Sequence, residues 1–359
     1  MISVALSPSS VKQDVGILQL FPYLTELNYI LKPPQSQVPN QERDKDQLVL
    51  TLAEMSSRLR VLSLVKLDTS YVSRMAHCLS SLQQLTLDRS TGHGQLLDLQ
   101  SCTQLTCLHL MSDGLNQDIQ LPQSCCVSLK HLVLGHKGYK LHSLASCTQL
   151  TYLELHDDQT MRDTGMLRFW NHRHYNRVPN AVFSVLPEDW PSTMPELNII
   201  KVCSMPYPVP AQLLGYPSLR KLHLPRLQQK LLPDWFRDLA QLTRLTLTSG
   251  SFSCFPECFL RLFQLEAARL RLPHFPKQIV QMATWPRLHE LDLAIVADKG
   301  FDYMASVDQA TAFSDNVEAL QAALVNRYSS LCVSHLDWGT FTFHLSREAV
   351  SDCNVGTSL

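Results

Sequence analysis

Glycine is scarce in this chain, 12 of 359 residues, and the strings that need it are missing. No G-x-G-x-x-G, no G-x-x-x-x-G-K-[ST] and no G-x-S-x-G occurs, and no H-E-x-x-H either. Phosphate cradles, nucleophile elbows and zincin helices built on those strings are therefore not expected. Fourteen histidines beside many Ser and Asp make chance triads inevitable. No catalytic residue is assigned on that basis, and no enzyme activity is expected.

Long hydrophobic runs are missing too. No stretch of eighteen apolar residues exists, so no helix is expected to span a membrane. Met1 to Ser10 has no basic flank and no long apolar core, so no secretory signal is expected. Charge of one sign is also lacking. Lys and Arg number 31 and Asp and Glu 32, for a net charge of −1. Bulk charge therefore draws the chain to neither nucleic acid nor membrane. Eleven cysteines include no C-x-x-C. Without a signal they read as reduced thiols in the cytoplasm, with nuclear, cytoskeletal and axonemal settings left open. Cys254 and Cys258 are four apart, but no second pair follows at zinc-finger spacing, so neither a metal nor a cofactor is expected. Apolar residues at 45% and charged residues at 18% describe a folded chain.

What the sequence does contain is a period. L-x-x-L-x-L recurs at Leu59-Leu62-Leu64, Leu82-Leu85-Leu87, Leu105-Leu108-Leu110, Leu129-Leu132-Leu134 and Leu150-Leu153-Leu155. It resumes at Leu197-Ile200-Val202, Leu219-Leu222-Leu224, Leu242-Leu245-Leu247, Leu265-Ala268-Leu270 and Leu288-Leu291-Leu293. A unit this short cannot bury its own apolar face, but stacked copies can. The alternation puts the leucines of each copy on one face of a short strand. The expected fold is an α/β solenoid with a parallel β-sheet on its concave side and helical or irregular convex returns. Pro233, Pro256 and Pro276 suit first helical turns. They predict helical returns over 234–241, 257–264 and 277–284.

This pattern resembles the leucine-rich repeat family over about residues 20 to 340. C-x-x-L-x-x-L-x-L at Cys102, Cys126 and Cys147 is similar to the cysteine-containing class common in F-box substrate receptors. Ser-Cys-Thr-Gln-Leu-Thr occurs from Ser101 and again from Ser146, which points to internal duplication. Leu232-Pro233, Phe255-Pro256 and Phe275-Pro276 resemble plant-type intracellular repeats. The family usually places Asn or Cys three residues after the last motif leucine. Here that slot holds Leu67, Ser90, Asp113, Lys137, Asp158, Met205, Leu227, Gly250, Pro273 and Val296. With no asparagine ladder, irregular turns and variable curvature are expected.

The expected organisation is one solenoid over 1–340, with interruptions. Residues 32–47 are rich in Pro, Gln and charge and read as a loop. The forty-seven-residue interval from Leu150 to Leu197 reads as hiding a degenerate repeat within 157–196, near Arg173 to Val178. Asp315 with Glu318 forms a capping-box pattern, predicting a helix over 316–329 inside a C-terminal cap, 298–340. Leu331 to Trp338 reads as a last strand and 341–359 as a tail. No polar cap precedes Leu24. The first repeat is therefore expected to be truncated or covered by another chain.

Two surfaces are candidate sites. Arg168 to Arg177 gathers Arg168, Trp170, His172, Arg173, His174, Tyr175 and Arg177, which suit stacking on an anionic partner. The plainer reading is an exposed loop whose aromatics pack back on the stack. The second surface follows from alternation. Motif positions three, five and seven face away from the leucines. In consecutive C-terminal copies this aligns Lys201, Lys221, His223, Arg244, Arg269 and Arg271, with no acid before Glu290. Strands about 4.8 Å apart place these cations within roughly 15 Å. The N-terminal copies present Asp88, His109, His131, Tyr152, Glu154 and His156, a neutral, histidine-bearing face. A solvated sheet surface is the plainer reading of both. The expected function is a non-catalytic protein–protein interaction scaffold binding a macromolecular partner on the concave face. The partner is a protein, with an acidic surface if the cationic strip is the site. Two alternatives remain. One is the substrate-recognition part of a ubiquitin-ligase receptor, although no F-box helix run precedes the repeats. The other is a nucleic-acid or anionic-lipid binder.

Overall fold

The structure is a computed structural model. It describes residues 3–6, 23–30, 49–55, 58–65, 74, 79–90, 99–112, 121–135, 141–156, 190–202, 209–224, 231–247, 255–272, 281–282, 285–296, 330–336 and 340–346. The expected loop 32–47, the helix 316–329 and the segment Arg168 to Arg177 lie outside the described residues. Two compact units divide the chain: Met1–Cys203 with Gly215–Ser218, and Ser204–Leu214 with Leu219–Leu359.

The first unit carries β1 (Ser3–Leu6), β2 (Glu26–Ile30), β3 (Val61–Val65), β4 (Gln84–Ser90), β5 (Cys107–Ser112), β6 (His131–Gly135), β7 (Tyr152–His156) and β8 (Ile199–Val202). Every consecutive pair is parallel. The motif leucines stand opposite one another: Leu62 meets Leu85, Leu85 meets Leu108, Leu108 meets Leu132, and Leu132 meets Leu153. A one-residue slip would turn every leucine to the other face, so burial fixes this register. All are essentially inaccessible. Each buried leucine contributes about 1.5–3 kcal/mol of transfer free energy. β2 belongs to an earlier copy, Leu24-Leu27-Tyr29, in which the fully buried Tyr29 takes the last leucine's place.

The second unit carries β9 (Lys221–Leu224), β10 (Arg244–Leu247), β11 (Ala267–Leu272) and β12 (Glu290–Val296) in parallel register, Leu222 to Leu245 to Ala268 to Leu291. The direction then reverses. β14 (Thr340–Ser346) pairs antiparallel with β12, and β13 (Ser330–Leu336) pairs antiparallel with β14. Part of the stretch read as a tail, through Ser346, thus runs inside the sheet. There β14 forms a hairpin with β13, which stands at the edge of the sheet and runs in the same direction as β12.

Strand entry follows a repeating hydrogen-bond fork. The carbonyl at motif position two accepts two N–H groups from the next copy. Lys130 N and His131 N both donate to the Thr106 carbonyl at 2.9 Å, and Thr151 N and Tyr152 N to that of Lys130 at 2.9 and 3.0 Å. Thr243 N and Arg244 N use the Arg220 carbonyl in the same way, at 2.8 and 3.0 Å. Threonine hydroxyls add a third bond at Thr106 and Thr151, to the carbonyls of Gln83 and Lys130 at 3.1 Å. These bonds satisfy backbone groups that a buried strand entry would otherwise leave unpaired. Of the slots where the family carries asparagine, Ser90 and Val296 lie within the described residues, and they end β4 and β12.

Cys102, Cys126 and Cys147 fill packing slots with no exposure, as does Cys125. The Cys125 thiol donates to the Leu99 carbonyl at 2.8 Å, tying one copy to the one before. The returns are shorter than the proline signals predict. Asp234–Asp238 and Glu257–Arg261 are 3₁₀ turns that follow Pro233 and Pro256, not eight-residue helices. They pack Phe236 edge-on to Phe259, with centroids 6.0 Å apart. A copy of about twenty-three residues leaves little chain for a return, and the tighter 3₁₀ turn fits it. The long interval after Leu155 adds no strand between its neighbours. β7 pairs directly with β8, Tyr152 to Ile199, and Trp190, ahead of β8, is fully buried.

Candidate functional site: the sheet face opposite the leucines

Alternation sets which side chains this face presents. Along β7 the leucines Leu153 and Leu155 are buried, while Tyr152, Glu154 and His156 between them are partly accessible. Parallel register then aligns these positions across strands into rows, about 4.8 Å apart.

In the first unit the rows converge on Glu154. Its carboxylate accepts the Tyr152 hydroxyl. It also takes Lys201 Nζ at 3.3 Å and stands 2.8 Å from His156 Nε2. Lys201 lies over the Tyr152 ring, 5.1 Å from its centroid, at cation–π distance. His131, one strand away, stacks on the same ring at 5.5 Å and 21°. Burial alone would raise the Glu154 pKa. The hydrogen bonds from His156 and Tyr152 and the Lys201 charge outweigh it and bring the carboxyl down to about 2. For Lys201, desolvation works to lower the pKa, but Tyr152 and Glu154 hold it above the ordinary lysine value. His109, further along, is shifted down, first by desolvation and then by His156, against the opposing charges of Asp88 and Glu154. A neutral His109 is the result at physiological pH.

The second unit's rows are Lys221, Arg244, Ala267, Glu290 and His223, Thr246, Arg269, Asp292. Arg269 turns to Asp292, with Nε 2.7 Å from Oδ2. Nη2 reaches the same oxygen. Lys221 and Arg244 stand side by side in register, both on the open face.

The expected cationic strip is therefore not a uniform one. Lys201 is neutralised by Glu154 on the preceding strand and Arg269 by Asp292 on the following one. Lys221, His223 and Arg244 share the open face of β9 and β10, and Arg271 falls on β11. The Lys201–Glu154 pair escapes a sequence reading that places a degenerate repeat between Leu155 and Leu197. That reading puts a strand between them. Direct β7–β8 pairing makes Glu154 and Lys201 register partners instead. Arg168, Trp170, His172, Arg173, His174, Tyr175 and Arg177 are outside the described residues, so neither unit's site includes them. Among the described residues, no group of three or more His, Cys, Asp or Glu side chains is arranged to hold a metal. No helix among them is long and apolar enough to cross a membrane.

The chain folds as a leucine-rich repeat solenoid. The leucine register and the recurring fork carry that statement. No family model and no curated protein matches the chain. Solved structures do. A leucine-rich repeat protein of Leptospira interrogans is 15% identical, with a TM-score of 0.42, covering 82% of this chain and 76% of that one. An internalin of Listeria monocytogenes is 14% identical, with a TM-score of 0.40, covering 79% of this chain and 86% of that one.

Proposed function

We propose that this chain is a non-catalytic interaction scaffold that binds a protein partner on the sheet face opposite the leucines. The observation that carries this reading is the network around Glu154. Four polar or aromatic side chains, Tyr152, His156, Lys201 and His131, are held in fixed relation on an open face where the core has no use for them. Preorganised side chains lose little entropy when a partner docks, and Tyr is among the residues that dominate interface energies. The sequence strings that catalysis commonly uses are missing, which agrees with a binding role. The cysteine-bearing copies resemble ubiquitin-ligase receptors at the level of motif, and no residue of the face adds to that resemblance.

Affinity capture from cells with the full chain, followed by mass spectrometry, tests the reading. A partner retained by the wild type and lost by Tyr152→Ala with Lys201→Ala supports it. A partner set unchanged by that pair of substitutions, in a variant that melts normally, contradicts this location. A catalytic turnover abolished by a single substitution contradicts the scaffold itself.

A further inference from the structure

Lys221 and Arg244 are direct register partners on β9 and β10. Neither has an ion-pair or hydrogen-bond partner among the described residues. Like charges directly opposite on a sheet destabilise it, so this pair has a standing use for an anion. The neighbours leave room for one. Ala267 is the next residue in the row, too short to cover the Arg244 guanidinium. Thr246, two residues along β10 on the same face, adds a hydroxyl. Beyond Ala267 the sign changes, because Glu290 follows on β12.

We propose that this row is a docking site for an extended acidic segment of a partner protein. Its carboxylate sits on Lys221 and Arg244, and a basic side chain of the same segment reaches Glu290. The proposal rests on the reading that this face binds protein, and it specifies the partner's chemistry. Arg244 and Glu290 are two strands apart, about 10 Å. Three extended residues span about the same distance. A segment crossing the strands therefore matches the row with the pattern acid-x-x-base. The arginine fork favours a carboxylate taken by two parallel hydrogen bonds. A nucleic acid fits less well, because its next phosphates would meet Glu290 and Asp292 instead of further cations.

The test is selection of twelve-residue peptides from a display library on the immobilised full chain. The expected peptides are enriched in acid-x-x-base. Individual synthetic peptides should bind Lys221→Glu with Arg244→Glu at least tenfold more weakly. Glu290→Lys should shift preference toward acid-x-x-acid. Lys221→Gln with Arg244→Gln keeps the test valid if charge reversal unfolds the protein. Peptides that lack acids, or that bind the double variant as well as the wild type, overturn the inference and leave the protein-binding reading standing. Tighter binding of a single-stranded oligonucleotide or an anionic phosphatidylserine vesicle, dependent on Lys221 and Arg244, also overturns it. A chain that selects no peptide and captures no protein overturns both.

Discussion

Glu154 and Lys201 face each other in register across β7 and β8, with Nζ 3.3 Å from the carboxylate. Forty-seven positions separate them in the chain, so the contact joins two strands that are neighbours in the sheet but distant in sequence. It also makes part of the stability depend on pH. The folded Glu154 pKa, about 2, lies below its ordinary 4.5. Its contribution is therefore present in full above pH 4.5 and is lost as pH falls through 2.

Glu154→Gln should lower stability by about 1–3 kcal/mol at pH 7. Urea unfolding of wild type and variant across pH 2 to 7 checks this. The gap should close toward pH 2. A gap that stays constant across that range contradicts the assigned network.

Leu108→Ala and Leu222→Ala should each cost about 2–5 kcal/mol, because each side chain is buried between neighbouring copies. Coupling in a stack passes between nearest neighbours. Hydrogen exchange in Leu108→Ala should quicken in β4, β5 and β6 before it changes in β2. Uniform loss of protection across the first unit would falsify this local coupling.

Gly215→Ala should destabilise the first unit. A Cβ there would come 2.5 Å from Pro191 Cβ and 2.7 Å from its Cγ. The proline ring cannot move aside as a flexible chain end would, so the expected cost is about 1–3 kcal/mol. Thermal melts of Gly215→Ala, Pro191→Gly and the double variant form the check. The double variant should recover part of the loss, and strict additivity contradicts the clash.

Asp292→Ala should release Arg269 from its carboxylate partner, at a stability cost below about 1 kcal/mol because the arginine is well exposed. The released cation extends the positive patch by one strand. Acid-bearing peptides selected on the wild type should bind this variant about twofold to tenfold more tightly, read by fluorescence anisotropy. Unchanged affinity places the peptides out of reach of Arg269.

The solenoid is legible in the sequence because its signal is redundant. Ten copies hold one phase, and one substituted leucine, as at Ala268, does not hide it. β2 escapes because Tyr29 replaces the last leucine, which a string of leucines passes over. The returns are misread as helices because proline marks where a turn starts and not how tightly it winds. The candidate face is half legible. Alternation places Lys201, Lys221, Arg244 and Arg269 on it from the sequence alone. Their pairing is not legible, since it depends on which strand is the neighbour. That depends in turn on whether a long interval contributes a strand, and nothing in the spacing from Leu155 to Leu197 decides it. β14 is hidden for a similar reason, because Thr340–Ser346 carries no L-x-x-L-x-L and runs antiparallel to β12.

Hydroxyl-radical footprinting of the full chain, alone and with a captured protein partner, tests the location of binding most directly. The account predicts protection of His131 and Tyr152, on the first unit's sheet face opposite the leucines, with the exposed Leu231 and Phe263 still oxidised. Protection confined to Val127, Leu231 and Phe263, with Tyr152 labelled as in the free chain, would contradict it.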